Sequence, residues 1–221
     1  MTDGPEILFR DNRFIVLNKP TGLPVHPGPR GGPSVEDWFP LLSRRRDGPW
    51  LAHRLDADTA GCLVIALRHA ALLAAQAEFA AGRANKTYWA VVQGTPPGDS
   101  GTLDAPLLRH SDRSGWSMRV DPAGQRSVTA WRVRGRADGI AWLELHPHTG
   151  RTHQVRVHCH HLGCPILGDP IYGDGAGRLH LLARGIALAL DPPVVACAPP
   201  PPHMLAALRR CGWIDRPDHS K

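Results

Sequence analysis

Residues 53–67 read His53-Arg54-Leu55-Asp56-Ala57-Asp58-Thr59-Ala60-Gly61-Cys62-Leu63-Val64-Ile65-Ala66-Leu67. The second half, Gly61 to Leu67, is a compact apolar run and predicts a buried strand. The first half is a charged segment ending in a Thr/Gly turn, and it sets Asp56 at the mouth of that strand. A carboxylate held there can serve as nucleophile, as base or as organiser of a phosphate site. The structural alternative is an Asp that caps the turn and pairs with Arg54.

Upstream of this stretch, residues 7–18 predict two short strands around the polar turn Asp11-Asn12-Arg13. Lys19 to Pro33 carries nine prolines and glycines, which excludes both a helix and a central strand. Residues 34–42 follow a Ser34 N-cap with Val35, Trp38, Phe39 and Leu42 at helical spacing. Arg44-Arg45-Arg46 is either a solvated loop or a phosphate contact.

Downstream, residues 69–82 are Ala- and Leu-rich and end at Gly82, a helix with a glycine stop. Residues 87–93 are rich in strand formers. Residues 128–134 and 139–146 flank Ala137-Asp138-Gly139 and predict a hairpin. Residues 185–190 predict another strand. Leu205 to Arg210 predicts a closing helix after Pro199 to Pro202, a stiff connector. Helices and strands mix without regular βαβ alternation. The fold expected is therefore α+β, a mixed and largely antiparallel sheet with flanking helices. No linker is long and polar enough to divide the chain, so residues 1–221 are expected to form one domain.

The composition narrows the function. Of the 221 residues, 42% are hydrophobic and 21% charged, which excludes a disordered chain. No run approaches the roughly 18 apolar residues of a membrane helix, and the N-terminus lacks the layout of an export signal. Five cysteines, an odd number without a CxxC pair, fit reduced thiols in a cytoplasm. The formal charge is +6, and all but Lys19, Lys86 and Lys221 of the 26 basic residues are arginine. Guanidinium suits bidentate phosphate contact and base stacking. A nucleic-acid partner and an arginine bias of the genome both account for this balance.

Three further constellations bear on chemistry. Gly150 to His158 packs Arg151, His153, Gln154, Arg156 and His158 into nine residues, a density suited to an anion site or RNA. Strand and helix each fit its periodicity in part. His153, His158, Cys159, His160, His161 and Cys164 lie within twelve residues but lack the paired spacings of a zinc site. Lys86-Thr87-Tyr88 opens a strand, where the tyrosine is suited to stacking on a base, to proton transfer, or simply to half-burial.

Taken in order, these segments resemble the RluA-type pseudouridine synthases. Asn18 to Gly28 is similar to the family's N-terminal loop. His53 to Gly61 is similar to its HRLDxxTSG signature. Lys86-Thr87-Tyr88 with Gly94 is similar to its K-x-Y strand. Residues 147–173 are similar to its TGRTHQxR…GxPIxGDxxYG segment. The resemblance runs from about residue 7 to about residue 190. There are departures. Ala60 stands where the family has Ser, and Leu182 stands where it has His in the segment Arg178 to Ala183. Residues 124–129 match only loosely.

The resemblance implies conversion of uridine in tRNA or rRNA to pseudouridine, by a single catalytic domain without an added N-terminal RNA-binding module. It implies no cofactor, no metal, no membrane and no obligate protein partner, in a cytoplasmic monomer. It matches Asp56, Tyr88 and Arg156 to the family's catalytic Asp, active-site Tyr and active-site basic residue. Asp56 would act at the sugar, as nucleophile or as base in glycal formation, in the manner of a glycosidase carboxylate. Arg156 would pair with Asp56, and Tyr88 would lie against the uracil. Arg54 would support RNA displaced by base flipping. His53, Thr59, Arg151, His153 and Gln154 are further candidates for substrate contact. Target choice would lie in Arg178 to Ala183 and in basic loops near Arg44–Arg46 and Arg109–Arg119. Rival readings are an RNA-binding factor on the same scaffold, a zinc hydrolase using the His/Cys cluster, and a nucleoside hydrolase using Asp56.

Overall fold

The computed structural model describes residues 4–28, 31–45, 47–113 and 115–215. Its first turn is held by one side chain. The Asp11 carboxylate accepts the N–H groups of Arg13 and Phe14 at 2.7 and 2.6 Å. This joins β1 (Ile7–Arg10) to β2 (Phe14–Lys19) as an antiparallel pair. The helix expected over 34–42 forms as a 3-10 turn (Val35–Trp38) and then a short α1 (Phe39–Leu42). Pro40 has no N–H to offer the Glu36 carbonyl, so one continuous α-helix is interrupted there. Within the Arg44–Arg46 run, Arg45 is exposed and pairs with Asp47 at 3.0 Å, while Arg46 lies outside the described residues.

β3 (Trp50–Leu51) pairs with β4 (Ala60–Ala66), and all seven residues of β4 are buried. The helix after it is α2 (His69–Ala80), with Gly82 at a φ of +68° just past its end. β5 (Asn85–Gln93) and β6 (Ser100–Asp104) follow. Residues 109–119, expected as a basic loop, instead form a hairpin of β7 (Leu107–Asp112) and β8 (Gly115–Val120). Trp116, Met118 and Val120 alternate with Ser117 and Arg119 along β8, a weak two-residue period that the surrounding charge obscures. Ser114 at its tip lies outside the described residues.

The expected hairpin is β9 (Val128–Ala137) and β10 (Ile140–Pro147), with Gly139 in its turn at a φ of +71°. The ambiguous segment 150–158 supplies a helix, α3 (Gln154–His161). Residues 154–159 are all buried, so α3 has no polar face for a periodicity to reveal. β11 (Leu181–Leu188) starts earlier than expected, and β12 (Val194–Cys197) pairs with it. α4 (Pro202–Arg210) begins inside the proline run, where Pro202 at the first turn needs no hydrogen-bond partner for its nitrogen.

The main sheet runs β1-β2-β4-β11-β5-β10-β9-β6, with β12 on β11 and β3 on β4. Its one parallel pairing is β4 with β11. The sheet is therefore mixed and mostly antiparallel, as expected. Alternate residues serve opposite faces. Phe14, Val16, Cys62, Val64, Trp89 and Val91 pack with Ala71, Leu72 and Ala75 of α2 and Met204 and Leu208 of α4. On the other face, Ile15, Leu17, Leu63 and Ile65 pack with Val35, Leu42 and Leu55. Beside them Ala90, Val92, Leu143 and Leu145 pack with Val155 and Cys159 of α3. Tyr88 touches both of these last two clusters and marks the seam between them. The β7–β8 hairpin leans on α3 through Leu107, Met118, Val120, Val157 and Tyr172. No helix among the described residues is long and apolar enough to cross a membrane.

Candidate active site

A cavity of about 490 Å³ opens at that seam. Asp56, Tyr88, His153, Arg156 and Leu181 line it, with Arg54, Lys86 and Arg151 also contributing to its walls. The turn that carries Asp56 is held from two sides. The Thr59 N–H donates to the Asp56 carbonyl at 3.1 Å, and the Gly22 N–H donates to the Ala57 carbonyl at 2.9 Å. Lys19 is fully buried beneath it. Its ammonium donates to the carbonyls of Pro20, Leu23 and Ala57 at 2.7–2.8 Å. Three hydrogen bonds satisfy the three ammonium donors and strap the Gly/Pro-rich loop onto the Asp56 turn. Burial pushes the Lys19 ammonium down to about 8, against the opposing charges of Asp58 and Asp56.

After the turn, Gly61 pairs with Ala183 in the parallel ladder to β11 at a φ of +108°, and a Cβ there would run into the Ala183 carbonyl. Only glycine accommodates that approach. The two departures from the family pattern face away from the cavity. Ala60 and Leu182 are buried in the opposite-face core with α2 and α4.

Arg156 lies between two carboxylates. Its Nη1 sits 3.4 Å from Asp56 Oδ2. Its Nε and Nη2 donate to the two oxygens of Asp169 at 2.8 and 2.7 Å, the bidentate geometry that guanidinium favours. The Arg156 and Asp169 side chains are 3% and 0% exposed, whereas Asp56 keeps 25% of its side chain open to the cavity. Asp169 Oδ1 also accepts the N–H groups of Ile171 and Tyr172 at 2.9 and 3.1 Å. Burial alone would raise the Asp169 carboxyl, but Arg156 and these backbone donors outweigh it and hold it below its ordinary value. The guanidinium also stacks over the Tyr172 ring, 5.2 Å from its centroid. Asp169 thus anchors Arg156 and leaves one nitrogen for Asp56. The Asp56–Arg54 pairing considered from the sequence is replaced by this contact across 100 positions. Tyr88 projects from β5 into the same cavity. Burial, and secondarily the Asp56 charge, lift its phenol well above the usual range and keep it protonated.

The remaining candidates divide by geometry. Arg54 and Arg151 are exposed beside the cavity, and the Arg151 Nε donates to the Arg126 carbonyl at 3.3 Å. His53 turns inward. Its Nε2 accepts the Val64 N–H at 3.0 Å, and its ring packs on Phe79 at 4.9 Å. Burial, aided by the Lys86 charge, pushes the imidazole down to about 4, so it is neutral. The Thr59 side chain is buried. Gln154 is a saturated clamp. Its Oε1 accepts from the Thr149 hydroxyl and the Arg151 N–H, and its Nε2 donates to the Val128 carbonyl and the Thr129 hydroxyl. His153 lies 3.8 Å from Asp56 Oδ2 through its Nε2.

The His/Cys cluster does not converge. His158 Nε2 donates to the Ala105 carbonyl and its Nδ1 accepts from the Thr129 hydroxyl. His160 Nδ1 donates to the Tyr172 carbonyl, and Cys159 and Cys164 are buried thiols in the core. Among the described residues no group of three His, Cys, Asp or Glu side chains is placed to hold a metal. Sequence reasoning gave no role to Lys19, Asp169, Tyr172 or Trp116. The signal for Asp169 was present, a carboxylate directly after Gly168 inside the same quoted segment as Arg156; that the two side chains pair was not.

The family model described as RNA pseudouridylate synthase matches residues 13–161. The chain is 37% identical over 153 residues to a protein of Zymomonas mobilis described as an uncharacterized RNA pseudouridine synthase, covering 68% of this chain and 70% of that one. It is 35% identical over 152 residues to ribosomal large subunit pseudouridine synthase C of Buchnera aphidicola, covering 68% of this chain and 48% of the relative. The chain therefore spans about half the length of that second relative. The solved structure of human RNA pseudouridylate synthase domain containing 4 superposes with a TM-score of 0.79 at 30% identity, over 96% of this chain and 94% of that one. The chain belongs to the RNA pseudouridylate synthase family of isomerases, on its RluA-type branch.

Proposed function

We propose that this chain isomerises specific uridines of structured RNA, tRNA or rRNA, to pseudouridine, with Asp56 as the catalytic carboxylate. The observation that carries the reading is the convergence of Asp56, Arg156 and Tyr88 in one cavity from three distant parts of the chain. The reaction breaks the C1′–N1 bond, turns the uracil, joins C5 to C1′ and releases the hydrogen of C5. Atoms and electrons balance within the nucleotide and water, so no cofactor enters. Asp56 meets the sugar, either at C1′ as nucleophile or as the base that forms a glycal. Both routes need a carboxylate held still beside the anomeric carbon, which the Arg156–Asp169 anchor provides.

Tyr88 lies against the uracil as a protonated phenol. A uridine inside a helix cannot reach a carboxylate set in a cavity, so the target base leaves its stack. Arg54 and Arg151 are exposed beside the cavity and take the displaced strand by phosphate contact or stacking. Lys86 is largely buried; burial pushes its ammonium down to about 8, and it donates to the Thr149 carbonyl at 2.8 Å. The protein acts as a cytoplasmic monomer, one catalytic domain without an obligate partner.

The test is tritium release from bulk cellular RNA labelled at uracil C5, taken from cells lacking this chain. Wild type and Asp56→Asn are compared, with RNA binding measured in parallel. Release by wild type alone, with binding retained by both, is the expected result. Release by Asp56→Asn removes the carboxylate from the mechanism. Bound RNA without release from wild type favours a binding factor, and free uracil as product favours a hydrolase.

A further inference from the structure

His153 is the only non-glycine residue at positive φ among the described residues, at +54°. Left-handed backbone is sterically costly for an L-residue and persists where its surroundings require it. It sits at the N-cap of α3, yet its side chain makes no cap. The ring is 8% exposed and faces three groups. It stacks on Trp116 at 4.9 Å with an interplanar angle of 23°. Its Nδ1 lies 2.8 Å from the Tyr172 hydroxyl. Its Nε2 lies 3.8 Å from Asp56 Oδ2.

The hydrogen bonding selects the tautomer. The Met118 N–H donates to the Tyr172 oxygen at 2.9 Å. The phenolic hydrogen is then free to point at His153 Nδ1, and Nε2 carries the ring hydrogen toward Asp56. The opposite tautomer would aim an Nε2 lone pair at a carboxylate, which is repulsive. At 3.8 Å the two groups are in ion-pair range, longer than a hydrogen bond. Both settings of the ring come from β8: Trp116 directly, and Met118 through Tyr172. Trp116 is 44% exposed and lies under the Arg109 guanidinium of β7, at 5.1 Å.

We infer that His153 is a positioning residue for Asp56, and that the β7–β8 hairpin sets its ring, so that RNA seated against the hairpin is registered at the carboxylate. This rests on the isomerase reading above. The chain of contacts runs Trp116–His153–Asp56 and Met118–Tyr172–His153–Asp56. It gives an exposed hairpin a mechanical route to the reacting centre that passes through no phosphate contact.

The test uses the full chain, in excess over C5-tritiated bulk RNA from cells lacking it, so that single-turnover rate and RNA affinity are read separately. Asn tolerates left-handed backbone but is too short to reach Asp56, and Gln restores an N–H at the ε position. His153→Asn is expected to slow the single-turnover rate by about 10- to 100-fold, the range a misplacement of about 1 Å produces. Its RNA affinity is expected to stay within about twofold, and His153→Gln to recover much of the rate. Trp116→Ala, a change at an exposed position that the fold tolerates, is expected to slow the same step. Its effect is expected to be less than additive with His153→Asn.

A His153→Asn protein that turns over at the wild-type rate overturns the inference alone. One that loses affinity rather than rate makes His153 a substrate contact and likewise overturns it. Additive effects of the two substitutions disconnect the hairpin from the ring. Wild type that binds RNA and releases no tritium overturns the isomerase reading, and this inference with it.

Discussion

Asp169→Asn separates the support of the site from its chemistry. Asp169 is wholly buried and is not itself part of the cavity lining; it reaches the cavity through Arg156. It accepts two charged bonds from Arg156 and two backbone N–H bonds. Asparagine keeps one acceptor oxygen and turns an NH₂ toward a guanidinium that is itself 3% exposed. Arg156 would then rest on Asp56 alone, at 3.4 Å and partly open to solvent. Removing one partner of a buried pair costs about 3–5 kcal/mol, because the other charge is left uncompensated. For a chain of this size that corresponds to a drop of about 6–20 °C in Tm. Urea unfolding followed by fluorescence of the seven tryptophans reads the stability, and C5 tritium release reads the activity. The paired change Arg156→Met with Asp169→Leu is expected to recover part of the stability, since it removes the uncompensated charge but still leaves the Ile171 and Tyr172 N–H groups without their acceptor. It is expected to remain inactive. An Asp169→Asn protein within about 1 kcal/mol of wild type, the value of a surface pair, would refute the anchoring argument.

Three other outcomes follow from the same geometry. The Asp169 carboxyl is held low in the folded chain, so its contribution is present above the unfolded value near 3.9 and is lost as pH falls further; the gap between wild type and Asp169→Asn is expected to close under acid. His53 behaves over a different window: its imidazole is held down to about 4, so the unfolded chain gains a proton below about pH 6.5 that the folded chain refuses, and stability falls on acidification. His53→Gln is expected to flatten the pH dependence of urea stability between those values by up to about 1.4 kcal/mol per pH unit, and an unchanged slope would show that burial does not hold the ring neutral. Gly61→Ala drives a methyl into the Ala183 carbonyl where β4 meets β11; a loss of at least about 1–3 kcal/mol is expected from the backbone conformation alone, and a melting temperature equal to wild type would rule out the close approach.

The local elements were legible because their causes are local. The apolar run of β4, the Asp138-Gly139 turn and the glycine after α2 each declare themselves within a few residues, through side-chain period or backbone freedom. α3 was not legible, because a helix buried on nearly every side shows no amphipathic stripe. The β7–β8 hairpin was not legible either, because its few apolar residues stand among arginines that read as a solvated loop. Helix α4 started early because prolines that break helix interiors are accepted at a helix start.

The site divides in the same way. Residue types and motif order, by resemblance, were enough to single out Asp56, Tyr88 and Arg156. Chain order alone could not supply the buried Asp169 behind Arg156, the Lys19 ammonium beneath the Asp56 turn, or the Trp116 and Tyr172 that hold His153. Those partners lie from 13 to 38 positions apart in the chain. Hydrogen bonds and charges act through space, and the sheet order that puts β11 between β4 and β5 decides which of them meet. By itself the sequence determined several central strands, their local turns and, by resemblance, the candidate chemistry-bearing residues. The tertiary structure decided which of those residues face the cavity and which are spent on holding the others in place.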